Sequence, residues 1–255
     1  MAGFLTASLL ATLIAGTLNG LRINSAPFRC WYYRILKRIV GIRVVVHGQP
    51  TKAKPHLVVS NHISYFDIVA LGSLIAGDFI AKADIAKWPV FGIMAKAGRS
   101  VFIDRKRSAT SNARDQIQER LDDGDTLIMF PESTSGDGTH MKPFKSALFT
   151  VAERHVTDRS GVKGSIVVQP VSIAYTRLNG LPIGVGWRPF VAWYGDMEMV
   201  AHLWHISKLG TLTVEIMFHP PVTLAQFANR KALAAHCDRV VRQGMAGLLA
   251  GRVAA

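Results

Sequence analysis

Short apolar segments rich in β-branched residues alternate with stretches of helical periodicity from residue 42 onwards. This alternation is typical of a layered α/β domain with a mostly parallel sheet. No internal repeat or low-complexity tract interrupts it. We therefore expect one domain over residues 42–255, with a central, mostly parallel sheet flanked by helices. The predicted strands are 42–48, 56–61, 79–82, 100–104, 126–131, 165–175 and 212–222, and the predicted helices are 65–76, 89–98, 109–123, 144–155 and 230–250.

Residues 1–41 have a different composition and predict a membrane anchor. Residues 1–21 carry no charged side chain, and residues 22–43 then add six Lys and Arg around the aromatic run 31–33. The uncharged run is barely long enough to span a bilayer, which needs about 20 apolar residues, and several polar side chains weaken it. Aromatic and basic residues together are typical of a helical segment at the headgroup level of an anionic leaflet. A core helix followed by a solvated basic helix is the alternative.

The whole chain is basic, with 30 Lys and Arg against 17 Asp and Glu and a formal net charge of +13. Anionic partners are therefore expected: a lipid surface, a nucleic acid or an acidic carrier protein. No zinc-ligand spacing or RNA-recognition block supports a nucleic acid. Two cysteines, Cys30 and Cys237, are too few for a disulfide framework and indicate a reducing compartment. Together with the N-terminus, these features predict the cytoplasmic face of the inner (plasma) membrane.

The segment SNHISYFDIV, residues 60–69, joins a predicted strand to a predicted helix. Ser64 fits a helix N-cap and Asp67 an acid in the first turn. His62 then lies on the turn before the helix, where it can face Asp67, whereas on one continuous helix the two would point about 140° apart. The turn follows a sheet strand, where α/β proteins build their sites. Two interpretations stay open: an ordinary helix start, or a base with its orienting carboxylate.

Three further segments have unusual residues at the ends of predicted strands or inside them. Residues 98–107, GRSVFIDRKR, end a strand in Asp104 and three cations. Residues 127–138, LIMFPESTSGDG, end a strand in Pro131 and Glu132. Residues 167–175, VVQPVSIAY, contain Pro170, which indicates an edge, a bulge or a special loop approach. Each has an ordinary explanation alone, but their order and spacing together favour a functional site.

These four blocks resemble the glycerolipid acyltransferases typified by 1-acyl-glycerol-3-phosphate acyltransferase, over about residues 31–225. The matches are Asn-His-x4-Asp at 61–67, Phe-Ile-Asp-Arg at 102–105, part of Phe-Pro-Glu-Gly-Thr-Arg at 130–135, and an apolar run around Pro170. The resemblance implies an O-acyltransferase that moves a fatty acyl group to the free hydroxyl of a lysolipid at an anionic membrane surface. The implied donor is an acyl-acyl carrier protein or acyl-coenzyme A, and no metal or other cofactor is required.

The resemblance also implies the roles of individual residues. His62 would be the general base, and Asp67 would orient the imidazole and stabilise its charged form. Arg105 would bind a phosphate, because its planar guanidinium matches phosphate oxygens bidentately. The other residues that the resemblance assigns to acceptor binding are Asn61, Glu132, Ser133, Thr134, Lys142 and Lys145.

The third block departs from the family pattern, since Ser133 and Ser135 stand where the family has Gly and Arg. One expected phosphate contact is therefore missing, and Lys142 and Lys145 are candidates to replace it in part. The acceptor expected first is 1-acyl-glycerol-3-phosphate, which would give phosphatidic acid. Lyso-ornithine lipid is the alternative, because some bacterial relatives that also lack this Arg acylate it. A non-catalytic membrane lipid-binding protein on the same fold is the alternative from another class.

Overall fold

Eight α-helices and eleven strands occur in residues 2–21, 23–88, 91–103, 111–157 and 163–252, the parts of the chain that the computed structural model describes. The helices are α1 (Ala2–Gly20), α2 (Ala26–Ile39), α3 (Phe66–Gly72), α4 (Phe91–Ala97), α5 (Ser111–Asp122), α6 (Arg188–Val191), α7 (Met199–Ile206) and α8 (Arg230–Leu249). The strands are β1 (Ile42–His47), β2 (His56–Ser60), β3 (Asp78–Lys82), β4 (Val101–Ile103), β5 (Thr126–Met129), β6 (His155–Thr157), β7 (Lys163–Ser165), β8 (Val167–Leu178), β9 (Leu181–Pro182), β10 (Leu212–Phe218) and β11 (Val222–Thr223).

The central sheet has the strand order β1-β10-β8-β2-β5-β3-β4, and the short strands β9 and β11 also pair with β8. Along this order the β8–β10 pair is antiparallel and the other pairs are parallel. Every residue of β2 and β5 is buried, as expected for central strands of a sheet that is covered on both faces. The predicted α/β domain with a mostly parallel sheet is confirmed.

Several predicted elements differ from the structure in length or type. The helix predicted at 65–76 spans Phe66–Gly72, and the helix predicted at 144–155 is a 3₁₀ helix over Ser146–Glu153. The strand predicted at 165–175 continues as β8 to Leu178. Residues 89–90, 104 and 109–110, which were predicted to belong to two helices and a strand, lie outside the described residues.

Pro170 does not lie on an edge strand, which was one of the three predicted explanations. It pairs with Val59 inside β8, between β2 and β10. On the β10 side, the antiparallel ladder reaches only Val171, and the separate strand β11 pairs at Val168. Pro170 therefore lies at the interruption between the two ladders, where its missing N–H leaves no sheet hydrogen bond unmade.

The N-terminal helices pack against the domain. The Asn19 side chain donates to the carbonyl of Ala97 at 2.8 Å, and the Tyr32 hydroxyl donates to Ser8 at 2.7 Å, which joins α2 to α1. Arg29 of α2 is buried and forms an ion pair with Asp78 at the start of β3. Of the helices in the described residues, none is both long and apolar enough to cross a bilayer. The predicted division at residue 41 stays a prediction.

Candidate active site

His62 lies in the loop between β2 and α3, and the loop is fixed by backbone hydrogen bonds. The backbone N–H of Gly136 donates to the carbonyl of His62 at 2.8 Å, and that of Trp193 donates to the carbonyl of Ile63 at 3.0 Å. The imidazole stacks on the ring of Phe130, with centroids 4.1 Å apart and 14° between the planes. Since Phe130 directly follows β5, the ends of two neighbouring parallel strands meet at this histidine. The predicted position of the site at this edge of the sheet agrees with the structure.

Asp67 is fully buried and oriented towards His62. Its Oδ2 lies 2.8 Å from Nδ1 of His62 and also accepts the backbone N–H groups of Ile63, at 2.7 Å, and Ser64, at 3.0 Å. Ser64 was expected to cap the helix with its side chain, but that side chain makes no cap and the helix begins at Phe66. Instead, the backbone N–H of Ser64 donates to the carboxylate of Asp67. The geometry shows an imidazole oriented by a carboxylate, as the second interpretation requires, and the role of His62 as a base stays a prediction.

Tyr175, which the sequence analysis did not single out, completes the set of donors around Asp67. Its hydroxyl donates to Oδ1 of Asp67 at 2.6 Å, and the side chain is 1% exposed. Burial and the neighbouring carboxylate hold the pKa of Tyr175 well above its usual range, so the hydroxyl keeps its proton. Tyr175 is on β8, beside β2, so the sheet register brings it to the loop. No local sequence signal marks it, because the contact joins residues 108 positions apart.

Glu132 links the loop of His62 to the segment that follows β5. One carboxylate oxygen accepts the backbone N–H of His62 at 2.8 Å, and the other accepts that of Lys142 at 2.6 Å. The side chain is 3% exposed, and burial raises its pKa to about 7 against the lowering effect of these two hydrogen bonds. Glu132 was predicted to contact the acceptor in an unspecified role. In the structure its two oxygens hold backbone instead, so it positions the residue that carries the imidazole.

The residues of the third block form a tight turn beside this carboxylate. Ser133 is buried and has φ of +68°, a left-handed conformation that glycine adopts most easily, which explains the Gly of the family pattern. Thr134 is exposed. Ser135 is buried, and its hydroxyl donates to the carbonyl of Trp193. Ser135 therefore joins two loops and offers no free hydroxyl to a ligand.

The remaining predicted contacts have mixed positions. Asn61 is buried, with its amide paired to the backbone of Ile173 at 2.8 and 2.9 Å, so its polar atoms hold β8 and not an acceptor. Lys142 is exposed, but its ammonium donates to the carbonyl of Ser135 at 3.1 Å. Lys145 is exposed. Arg105 lies outside the described residues.

An apolar cavity of about 210 Å³ opens beside His62. Its walls come from α1 and α2 (Ala11, Tyr32), from α4 (Met94) and from Trp193, and His62 itself contributes to the lining. The imidazole side chain is 17% exposed while its Asp67 partner is fully buried, so only the imidazole is accessible from the cavity. In the described part of the chain, no group of His, Cys, Asp and Glu has an arrangement that could hold a metal ion. The arrangement can therefore accept a proton from a group that lies at the end of an apolar chain.

Comparison with known proteins gives the family of the chain. The family model described as Acyltransferase matches residues 43–174, more than half of the chain. Lyso-ornithine lipid O-acyltransferase of Brucella abortus (strain 2308) is 40% identical over 223 residues, covering 87% of this chain and 83% of that protein. 1-acyl-sn-glycerol-3-phosphate acyltransferase of Neisseria gonorrhoeae is 30% identical over 206 residues, covering 80% of this chain and 74% of that protein.

A solved structure supports the fold. The crystal structure of the 1-acyl-sn-glycerophosphate (LPA) acyltransferase PlsC from Thermotoga maritima superposes with a TM-score of 0.58 at 22% identity, covering 97% of this chain and 98% of that one. At this identity the likeness concerns the fold alone. The match to the family model and the identity to full-length relatives decide the assignment: this chain belongs to the acyltransferase family.

Proposed function

We propose that this protein transfers a fatty acyl group from an acyl thioester to the free hydroxyl of a lysolipid, with His62 as general base. The observation that carries the proposal is the His62–Asp67 pair at the wall of an apolar cavity. A buried carboxylate bonded to Nδ1 leaves Nε2 of the imidazole as the proton acceptor. An apolar cavity beside that nitrogen suits a fatty acyl chain.

The chemistry needs only these groups. Nε2 of His62 takes the hydroxyl proton of the acceptor as its oxygen attacks the thioester carbonyl, and the new C–O bond forms. Asp67 stabilises the imidazolium. The C–S bond then breaks, and the imidazolium returns its proton to the leaving thiolate. A thiolate is a good leaving group, so no enzyme nucleophile, metal or other cofactor is required.

The donor is an acyl-acyl carrier protein or acyl-coenzyme A. Both are anionic, and the chain has a net charge of +13, which favours encounter with either. Residues 1–41 place the enzyme on an anionic membrane, at the cytoplasmic face of the inner membrane. The exposed apolar side chains of α1, such as Leu9, Leu10 and Leu13, and the basic residues after them support this location.

Lyso-ornithine lipid is the acceptor that the observations favour. Relatives named lyso-ornithine lipid O-acyltransferase are 40% and 35% identical to this chain. Neither Ser135 nor Lys142 offers a free donor in place of the family arginine. The Ser135 hydroxyl donates to the carbonyl of Trp193, and the Lys142 ammonium donates to the carbonyl of Ser135. 1-Acyl-glycerol-3-phosphate is the second candidate, supported by the 30% identity to the Neisseria gonorrhoeae acyltransferase.

A panel of lysolipids with one radiolabelled acyl thioester tests the proposal. The purified full-length chain should acylate lyso-ornithine lipid with a higher kcat/KM than 1-acyl-glycerol-3-phosphate, and His62→Ala should form no product above the uncatalysed rate. A higher kcat/KM for the phosphate lipid would make it the acceptor. Equal products from the wild-type chain and His62→Ala would refute the base, and binding of lysolipid without any transfer would leave the non-catalytic alternative.

A further inference from the structure

A second group of large apolar side chains is exposed far along the chain from the N-terminal helices. We call it the outer apolar surface, and it consists of Leu181, Val185, Trp187, Phe190, Val200 and Trp204. Each of these side chains is at least half exposed, and the rings of Trp187 and Phe190 are in contact, with centroids 5.3 Å apart. Single exposed apolar residues are ordinary, but six within 24 residues of sequence, two of them tryptophan, are unusual for a surface that faces only water.

The short helix α7 shows that these apolar side chains belong to the surface and not to the core. Its inner face is buried, with His202, Leu203 and Ile206 packed on the domain. Its outer face carries Val200 and Trp204, which are 60% and 50% exposed, beside the exposed His205. A helix at a water-facing surface normally has mostly polar residues on its outer face. In α7 two large apolar side chains face outwards instead.

The outer apolar surface is connected directly to the proposed active site. On the inner face of α7, Nδ1 of His202 lies 2.9 Å from the hydroxyl of Tyr65, in the loop of His62. Met199 at the start of α7 and Trp193 both line the apolar cavity. Trp193 contacts the rings of Tyr65 and Trp88, so α7, which carries Val200 and Trp204, lies beside an aromatic wall of the cavity.

The charges around the surface fit a lipid headgroup layer only in part. The ammonium of Lys208 lies over the ring of Trp204, 4.5 Å from its centroid, and Arg188 is half-buried between Trp187 and Phe190 in the sequence. Asp196 and Glu198, however, are exposed in the same segment. The local charge is therefore nearly balanced, and apolar contact is the main attraction that this surface offers.

We propose that the outer apolar surface is a second membrane-contacting surface, which inserts into the boundary between headgroups and acyl chains and brings the cavity to the bilayer. This inference rests on the proposed function for the lipid nature of the substrate. Tryptophan rings with an adjacent lysine are typical of this boundary. The N-terminal helices also line the cavity, so the two surfaces together let a lysolipid enter it without crossing water.

An environment-sensitive fluorophore measures insertion without relying on activity. The two native cysteines are buried, so Trp204→Cys and Trp187→Cys variants of the full-length chain can each be labelled with a nitrobenzoxadiazole dye at the new thiol. The matched control is Val46→Cys, because Val46 is also exposed, at 40%, but belongs to the edge strand β1 and not to the outer apolar surface. Vesicles of phosphatidylglycerol and phosphatidylcholine in equal parts should shift the emission at 187 and 204 to shorter wavelength and leave that at 46 unchanged. No shift at 187 and 204, or the same shift at all three positions, would overturn the proposal.

Replacing both tryptophans by alanine measures what the surface contributes. The double variant Trp187→Ala/Trp204→Ala should bind the same vesicles about tenfold more weakly than the wild-type chain, at low and at high salt alike, since the lost contact is apolar and no charge changes. Val46→Ala should bind as the wild-type chain does. A change from dimer to monomer in light scattering with unchanged vesicle binding would mean that a second copy of the chain covers this surface, and would overturn the proposal.

Assays with the lysolipid in vesicles and in detergent separate this inference from the proposed function. Transfer to lysolipid in vesicles should fall about tenfold in the double variant, in step with binding. Transfer to lysolipid dispersed in detergent should stay within about twofold, because chemistry at His62 is intact. Equal losses in both assays would place Trp187 or Trp204 in the catalytic machinery and contradict a membrane role. An inactive wild-type chain would refute the proposed function and leave the fluorescence result standing.

Discussion

Two buried aspartates, Asp67 and Asp78, show how differently one fold can use the same side chain. Asp67 is fully buried, and the backbone N–H groups and the tyrosine hydroxyl that donate to it are all neutral. Asp78 is 3% exposed and is held between the guanidinium groups of Arg29 and Arg120. The first carboxylate keeps an uncompensated negative charge next to an imidazole, and the second is neutralised by fixed cations.

This difference fits different roles for the two carboxylates. A fixed guanidinium at Asp67 would satisfy the carboxylate permanently and weaken its attraction for the imidazolium that forms in the proposed reaction. Neutral donors hold the geometry without cancelling the charge. At Asp78 the two arginines tie α2 and α5 to the start of β3.

The largest expected effect comes from removing the imidazole of His62, which Asp67 orients. His62→Ala should lower kcat by about 10³–10⁴-fold or more, because the general base is lost, while the melting temperature stays close to that of the wild-type chain. A radiolabelled transfer assay and circular dichroism measure the two quantities. Retention of a tenth of the wild-type turnover would show that another group is the base.

Exchanging each aspartate for asparagine should separate activity from stability. Asp78→Asn leaves Arg29 buried without an acid, and burial already lowers the pKa of this guanidinium to about 10. The variant should lose about 3–5 kcal/mol of unfolding free energy. Asp67→Asn should cost less stability but lower kcat by about 10²–10⁴-fold, since the imidazole loses its orienting charge. Urea unfolding measures the stability of both variants, and initial rates at saturating substrate measure their kcat. Equal losses of stability and of kcat in the two variants would contradict the comparison.

Glu132 extends the comparison to a third buried carboxylate, with neutral donors but no imidazole partner. Burial raises its pKa from 4.5 to about 7, so the folded state binds the proton more tightly than the unfolded state does. Its contribution is fully present below pH 4.5 and is lost as the pH rises through about 7. Relative to Glu132→Gln, the wild-type chain should therefore lose up to about 3 kcal/mol of unfolding free energy over this range. Parallel pH profiles of the two proteins would contradict the shift.

The smallest expected effect concerns the neutral donor on the far side of Asp67. Tyr175→Phe removes the hydroxyl that binds Oδ1 and should lower kcat by about tenfold with little change in KM, because the carboxylate is less well oriented but the cavity is intact. Tyr194→Phe, which changes another partly buried tyrosine, is the matched control. A rise in KM with unchanged kcat would mean that Tyr175 supports substrate binding instead.

The sequence was sufficient where local chemistry decides the structure. β-branched runs predicted the parallel sheet, and the spacing of His62 and Asp67 across a strand-to-helix turn permitted the observed hydrogen bond. Tyr175 was missed because only the register of β8 beside β2 brings it to Asp67. Helix α7 was missed because both of its faces are apolar, which hides the periodicity that marks an ordinary surface helix.

Motifs also left the direction of side chains open. The third block identified Glu132 by type, but its carboxylate points at backbone N–H groups and not at a ligand. The sequence likewise predicted the anchor as a separate module. In the structure Tyr32 and Leu36 of this segment line the cavity, and Arg29 is paired with Asp78. Removing residues 1–40 would therefore open the cavity, in addition to the release from a membrane that the proposed anchor predicts.

The contact between His62 and Phe130 has a consequence for the path of the proton in the proposed reaction. With one face of the ring covered by Phe130 and Nδ1 held by Asp67, the ring keeps one orientation. The hydrogen that Nε2 takes from the acceptor hydroxyl is then available to the sulfur of the leaving donor without a rotation of the ring. A single imidazole position thus serves both proton transfers of one turnover.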